Sequence, residues 1–366
     1  MKYYVIAGEA SGDLHGSNLL IELYALDAAA NIRCWGGDRM QATGATLVKH
    51  YRELAFMGFA EVVRNLPAIL KNIAFCKKDI EAFKPDVLIL VDYPGFNLRI
   101  AEWAKKKGYK VVFFISPQVW AWKANRVKKM KQYIDLMMVI LPFEKDYYAN
   151  TWNWNVQYVG HPLVKVVDEY KPVPLHFNDD KPLIAVLPGS RKQEINIKLP
   201  EMLKVAAAFP NYRFVVAKAP SIEDSFYDAL LSPYNNVDAV KNRTYDLLSA
   251  AKAAMVTSGT ATLETALFGV PEVVCYKGSN ISYQIAKLLI KIKYISLVNL
   301  IMDKPVVKEL IQHDMNSKMI GEELDRLLND PIYIQRTKSN YAILHQLLSS
   351  SGNPSLKAAT LIFNLL

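Results

Sequence analysis

Several residues in this 366-residue chain stand where they could do chemistry. Asp92 follows the apolar run Val87–Val91 and precedes Tyr93-Pro94-Gly95-Phe96-Asn97. A carboxylate fixed at a strand end before a Pro-Gly turn is placed to act as a general base. Its aromatic neighbours Tyr93 and Phe96 would raise its proton affinity. An Asx-turn accounts for the same residues without chemistry. The stretch Val256–Leu267 reads V-T-S-G-T-A-T-L-E-T-A-L, a strand end, a glycine turn and a helix. Its free backbone N–H groups and helix dipole converge on one spot suited to a phosphate. Ser258, Thr260 and Thr262 add hydroxyls there, and Glu264, one turn into the helix, can accept bonds from a sugar. Equally, Ser258 or Thr260 caps the helix and Glu264 completes a capping box.

A second turn of this type occurs earlier, where Leu183–Leu187 runs into Pro188-Gly189-Ser190-Arg191. Arg191 at a turn opening a helix can pair bidentately with phosphate oxygens. Two such anion sites in one half of the chain favour a nucleotide diphosphate.

Other loops also follow strands. Gly8-Glu9-Ala10-Ser11-Gly12-Asp13 comes after the first strand, and its glycines allow close approach of a ligand. Glu9, Ser11 and Asp13 can hold hydroxyl groups there. It matches neither a dinucleotide fingerprint nor a P-loop. A glycine turn with Asp13 capping a helix is the alternative. Ser116–Lys123 carries Trp120 and Trp122 ahead of Arg126, Lys128, Lys129 and Lys131. That is either an aromatic and basic wall or one core tryptophan beside a solvated helix face.

The elements that must position these residues alternate regularly. Strands are expected at Lys2–Ala7, Ile32–Trp35, Val87–Val91, Val111–Ile115, Leu136–Leu141 and Val156–Val159. They recur at Leu183–Leu187, Phe214–Ala217, Ala253–Val256 and Glu272–Tyr276, with amphipathic helices between and an all-helical tail from Val306. This pattern predicts α/β architecture, two parallel sheets in tandem with a cleft between them. The aperiodic, proline-bearing stretch 168–182 reads as a linker. The expected division is therefore 1–167, 168–182, 183–345 and a C-terminal helix at 346–366 packing back on the first domain. In open parallel sheets ligands sit beyond the strand C-terminal ends, where all the loops above lie.

Composition narrows the function. An apolar fraction of 51% and a charged fraction of 22% are those of a globular protein with a large core. The net charge of +9 favours an anionic partner, although the aromatics near basic runs are too few for a nucleic-acid stacking platform. Cys34, Cys76 and Cys275 are widely spaced, which speaks for a reducing compartment and against a zinc site. A first strand that begins at once predicts no secretory leader, and no run of 18 apolar residues occurs. A cytoplasmic location is expected. The segment Phe56–Phe83 mixes Phe56, Met57, Phe59, Leu66, Ile69, Leu70, Ile73 and Phe75 with Arg64, Lys71, Lys77 and Lys78. It suits an acidic membrane surface or an acyl chain, or else a buried helix with snorkelling lysines.

Taken in order, G-E-A-S-G-D (8–13), D-Y-P-G-F-N (92–97), S-P-Q-V-W-A-W-K (116–123) and L-P-F-E (141–144) resemble the lipid-A-disaccharide synthase family. V-G-H-P-L (159–163), L-P-G-S-R (187–191) and S-G-T-A-T-L-E (258–264) extend the match, and Y-K (276–277) and V-N-L (298–300) fit it. His15 and Glu272 depart from the family pattern. The resemblance implies a GT-B glycosyltransferase of two Rossmann-like domains that joins UDP-2,3-diacylglucosamine to 2,3-diacylglucosamine 1-phosphate with inversion, releasing UDP. It implies Asp92 as the catalytic base. Gly189, Ser190, Arg191, Ser258, Gly259, Thr260, Ala261, Thr262, Glu264 and Tyr276 would hold the UDP-sugar. Glu9, Ser11, Gly12, Asp13, Asn97, Trp120 and Trp122 would hold the acceptor. No cofactor is implied; no D-x-D occurs, and Arg191 with the helix N-termini would replace a metal. A peripheral place on the inner face of the inner membrane is implied, and a homodimer is compatible with it. A UDP-sugar 2-epimerase of the same fold and a non-catalytic nucleotide-sugar binder are the alternatives.

Overall fold

The computed structural model describes residues 1–54, 66–278, 283, 292–350 and 352–366. The chain forms two compact units, Met1–Pro162 with Leu348–Leu366, and Leu163–Leu347.

In the first unit β1 (Lys2–Ala7), β2 (Asn31–Gly36), β3 (Thr46–His50), β4 (Val87–Val91), β5 (Lys110–Phe114), β6 (Leu136–Val139) and β7 (Gln157–Tyr158) make one sheet. The order is β3-β2-β1-β4-β5-β6-β7, every pair parallel. β4 reads Val-Leu-Ile-Leu-Val and is buried throughout, the signature of a central strand covered on both faces. Alternate residues feed two cores. Tyr4, Ile6, Leu88 and Leu90 pack against helix Pro94–Lys106 through Phe96 and Ile100. Tyr3, Val5, Ile89 and Val91 pack with Leu19, Leu20 and Leu23 of helix Ala10–Leu26. The last helix, Pro354–Leu365, joins that second core through Ala358, Ala359 and Ile362. Lys110 Nζ donates to the Leu365 carbonyl at 2.8 Å, and Asn353 Nδ2 to Glu22 at 2.8 Å.

The second unit repeats the plan with β8 (Leu183–Leu187), β9 (Arg213–Lys218), β10 (Val237–Lys241), β11 (Ala251–Thr257), β12 (Glu272–Tyr276) and β13 (Lys308–Ile311). Its order, β10-β9-β8-β11-β12-β13, is again wholly parallel. Numbered within each unit, the second sheet runs 3-2-1-4-5-6, the Rossmann order, and the first follows the same order with a seventh strand added at its edge.

Ten strands fall where the sequence predicts them. β3, β10 and β13 were not expected, and β13 corrects the all-helical tail. Segment 168–182 is expected as a linker, yet it is fastened to the second unit. Asp246 accepts from the Tyr170 hydroxyl and the Val173 N–H, each at 2.7 Å. Arg243 donates to the carbonyls of Val173 and Pro174, while Leu175 and Phe177 pack on the core. Of the Phe56–Phe83 segment, Phe56, Met57, Phe59 and Arg64 lie outside the described residues. Helix Leu66–Phe83 buries Ile73, Cys76 and Ile80 and leaves Leu70 and Phe75 exposed.

Candidate active site

In each sheet the chain reverses its direction of growth between the first and fourth strands, so the loops that follow those strands part and leave a crevice. In the first unit the two loops are 8–13 after β1 and 92–97 after β4. They are fitted to one another. A Cβ at Gly8 would meet the Tyr93 ring at 2.2 Å, so only glycine lets that ring lie over the first loop. Asp92 and Tyr93 both adopt left-handed backbone, with φ of 46° and 49°, and Pro94 then starts helix Pro94–Lys106. Two successive non-glycine residues there are strained, at a cost of about 1–3 kcal/mol each.

Asn97 holds this turn in place. It is buried and its Nδ2 donates to the carbonyls of Asp92 (2.7 Å), Val91 (3.3 Å) and Ile6 (3.4 Å). Its amide therefore supports Asp92 in place of the expected acceptor contact. Asp92 itself is half-buried, and burial, with the negative charge of Glu9 second, raises its pKa to about 6. The Tyr93 N–H opposes that shift. Of the other residues expected at the acceptor, Glu9 and Ser11 are exposed at the start of helix Ala10–Leu26. Gly12 is buried, with the Ala7 Cβ 3.1 Å from where its own would stand. Asp13 is buried and accepts the N–H groups of Gly37 (2.7 Å), Met40 (3.1 Å) and Arg39 (3.2 Å). It caps the short helix Asp38–Ala42, a structural duty rather than the expected hydroxyl contact.

The tryptophans divide the two readings between them. Trp120 donates its Nε1–H to Glu144 at 3.0 Å and sits edge-on to Phe143, with ring centroids 5.0 Å apart. Trp122 is exposed, with Lys123 Nζ 4.3 Å and the Arg126 guanidinium 5.7 Å from its ring centre. Glu144 is a residue that sequence reasoning passed over within L-P-F-E. It is fully buried, also accepts the Leu141 N–H at 3.0 Å, and is raised to about 7 by burial, with ionised Asp92 adding to the shift. A glutamate at the start of a helix has the look of a cap in sequence, so nothing there points to its second bond.

In the second unit the equivalent loops follow β8 and β11. Gly189, Ser190, Arg191, Ser258, Gly259, Thr260, Ala261 and Glu264 together line one cavity of about 510 Å³. Gly189 (φ 115°) and Gly259 (φ 146°) take backbone conformations that a side chain would disfavour. Gly259 is the N-cap of helix Thr260–Leu267 and Arg191 that of helix Lys192–Leu203; neither helix start has a side-chain cap. The predicted capping box is thus absent, and two sets of helix-start amides open on the same space. Arg191 is exposed and touches only Glu194, at 3.2 Å, among its described neighbours. An exposed pair of this kind is easily exchanged for a better anion.

Three hydroxyls behave differently. Ser258 Oγ donates to the Ile295 carbonyl at 2.8 Å, which ties this turn to the loop before helix Leu297–Met302. Thr260 is exposed, whereas Thr262 is buried and turns its hydroxyl back to the Gly259 carbonyl at 2.8 Å. Thr262 shapes the helix start and is not a wall of the cavity. Glu264 accepts the Tyr245 hydroxyl at 2.7 Å, and burial raises its pKa. Tyr276 does not line the cavity, although the charge of Glu194, which does, reaches its phenol, and Lys198 Nζ lies 5.7 Å from its ring centre. Lys218, Ala219, Pro220 and Thr244 also line the space and were missed. Lys218 ends β9, Ala219 and Pro220 follow it, and Thr244 follows β10, so the rule that singled out the other loops applies here too.

The two departures from the family pattern are buried. His15 has no partner for Nδ1 among the described residues, and burial lowers its pKa to about 4. Glu272, at the start of β12, has both carboxylate oxygens buried without a partner among the described residues, and burial raises its pKa.

A family model described as lipid-A-disaccharide synthetase matches residues 3–361. The lipid-A-disaccharide synthase of Geobacter metallireducens is 36% identical over 95% of this chain and 93% of its own length. That of Syntrophus aciditrophicus is 38% identical over 96% and 93%. Lipid-A-disaccharide synthase 1 of Legionella pneumophila is 38% identical over 95% and 93%. Among solved structures, UDP-GlcNAc 2-epimerase from Neisseria meningitidis bound to UDP-GlcNAc superposes with a TM-score of 0.66 at 14% identity, covering 100% of this chain and 99% of that one. CalG4, the calicheamicin glycosyltransferase, does so with 0.61 at 19%, covering 99% and 97%. At such identities these two speak for the GT-B type of fold alone. With the family model spanning nearly every residue, the chain belongs to the lipid-A-disaccharide synthase family and is a glycosyltransferase of lipid A biosynthesis.

Proposed function

We propose that the protein transfers 2,3-diacylglucosamine from its UDP derivative to 2,3-diacylglucosamine 1-phosphate with inversion. Asp92 takes the proton of the acceptor's 6-hydroxyl, whose oxygen attacks the anomeric carbon from the face opposite the diphosphate. The anomeric carbon–oxygen bond breaks and UDP leaves with the electron pair. The growing negative charge is met by the amides at Gly189–Arg191 and Gly259–Ala261 and by the Arg191 guanidinium. Glu264 is placed to accept hydroxyl protons from the nucleotide-sugar. Glu9 and Ser11 remain the accessible acceptor contacts, and the exposed Trp122 offers a stacking surface. Asp13 and Asn97 serve by fixing the loops.

The observation that carries this reading is the cavity at the β8–β11 crevice, where two uncapped helix starts and an arginine converge. Substituting the base and the cradle tests it. Asp92→Asn is expected to bind UDP like the wild type and to lose about 10²–10⁴-fold in turnover. Arg191→Ala is expected to weaken UDP binding about tenfold or more. Two labelled acyl-sugars, separated after reaction, distinguish the alternatives. A lone epimerised sugar as product, or full turnover by Asp92→Asn, sinks the proposal.

We also infer a peripheral place on the inner face of the inner membrane. No helix among the described residues is long and apolar enough to cross a bilayer. Leu70 and Phe75 are exposed on helix Leu66–Phe83, as are Lys71 and Lys78, an apolar and cationic surface suited to anionic lipid.

A further inference from the structure

A second cavity, of about 630 Å³, lies wholly within the first unit and is larger than the cavity at the β8–β11 crevice. It is bounded by helices Leu66–Phe83, Pro94–Lys106 and Arg126–Tyr133, and its walls are mainly apolar. Ile69, Leu98, Ala101, Met130 and Ile134 supply most of them. Nothing in the diphosphate chemistry or in the proton transfer uses this space.

Two features identify its occupant. The first is continuity with the candidate base. Tyr93, Pro94, Gly95 and Phe96, the four residues directly after Asp92, form one wall. A molecule whose hydroxyl lies at Asp92 therefore has the cavity beside it. The second is charge. Arg99, Arg126 and Lys129 also line the cavity and are solvent-accessible, so they stand at its mouth. None of the three is within ion-pair distance of a carboxylate among the described residues. Glu102, the one acidic residue of the lining, is already paired with Lys106 at 2.8 Å. An apolar interior beneath three cations and one already paired carboxylate fits a hydrocarbon chain attached to an anionic head.

We propose that this cavity takes an acyl chain of the sugar-phosphate acceptor, with Arg99, Arg126 and Lys129 at its mouth receiving the phosphate. The proposal rests on the acceptor assigned above, and it deepens that assignment by giving the lipid part a place in the fold. It makes chain length a determinant of binding. Each methylene moved from water into the cavity is worth about fourfold in affinity.

Gly95 offers a direct way to close the space. It lines the cavity, and a Cβ built there has nothing within 4 Å, so a large side chain can enter without striking the fold. Dodecyl phosphate, octyl phosphate and inorganic phosphate, each below any micelle concentration, would be titrated calorimetrically into the full chain. The expected order for the wild type is dodecyl phosphate tighter than octyl phosphate by about 250-fold, four methylenes at about fourfold each, with inorganic phosphate showing no saturation. Gly95→Trp should bind dodecyl phosphate at least tenfold more weakly and no longer distinguish the two chains. The Arg126→Ala, Lys129→Ala double variant, altered at the mouth only, should lose about tenfold for both while keeping their ratio. Inorganic phosphate binding as well as dodecyl phosphate, no binding to the wild type, binding to vesicles but not to the monomeric probe, or indifference to all these substitutions overturns the proposal. Disaccharide synthesis is read separately. Synthesis that persists with these binding results absent removes the chain site and leaves the transferase; chain-selective binding without disaccharide removes the transferase and leaves the site.

Discussion

Asp92 is a carboxylate on which two unfavourable things act at once, burial and the nearby charge of Glu9, and both push its pKa to about 6. A base must be ionised to work, so kcat/KM should be flat above that pH and fall about tenfold per unit below it. Removing the like charge in Glu9→Gln should move this acidic limb to lower pH. A limb that stays in place would show that Asp92 is not the group being titrated. Glu272 is buried more completely and for no evident chemical return. Its pKa is raised in the folded protein, so the folded state holds that proton more tightly than the unfolded state. The contribution to stability is thus full below the ordinary glutamate value and is lost as pH rises through the folded one. Glu272→Met should raise stability near pH 7 by about 1–3 kcal/mol and flatten its decline with pH, measured by thermal melting across pH. An unchanged or lower melting point would mean that the carboxyl has a partner after all. At this scale the sequence was only half legible. Asp92, Arg191 and Gly259 lie in loops that follow strands, as their sequence neighbours indicate, but Asp13, Asn97 and Thr262 serve the backbone. A polar residue beside a glycine turn looks the same whether it faces a ligand or an amide, because both needs are met by the same atoms.

Elements were read more surely than side chains, and the failures share a cause. β3, β10 and β13 are all edge strands, and none is the continuous apolar run that marks β4 or β8. An edge strand is covered less and tolerates charge, as Lys49, Asp238 and Glu309 illustrate, so its sequence loses the pattern that identifies a strand. The loops between elements hold further constraints that one-dimensional reading does not reach. Gly8 and Tyr93 are far apart in sequence, yet the ring occupies the place of the missing Cβ. Gly8→Ala should displace the Tyr93 ring and with it the turn that aims Asp92. Turnover should fall at least tenfold while UDP affinity, which the proposed cradle in the other unit sets, stays as it is. Wild-type turnover in Gly8→Ala would show that the turn need not be held in this form.

At the scale of the whole molecule, +9 is a long-range property, and it should appear as attraction to anionic surfaces. Sedimentation with vesicles should show binding that grows with the fraction of anionic lipid and weakens as salt shortens the screening length from about 10 Å at 0.1 M. Equal binding to neutral and anionic vesicles, or none to either, would remove the membrane reading. The first unit also closes with residues drawn from the far end of the chain, since helix Pro354–Leu365 completes the core beneath helix Ala10–Leu26. During synthesis the strands made earliest must therefore wait for the final helix to leave the ribosome, whereas the later, uninterrupted unit can settle ahead of them. The half translated first is in this way the last to finish, and a nascent chain stalled near its end would carry a settled second unit and a first unit whose apolar underside is still bare.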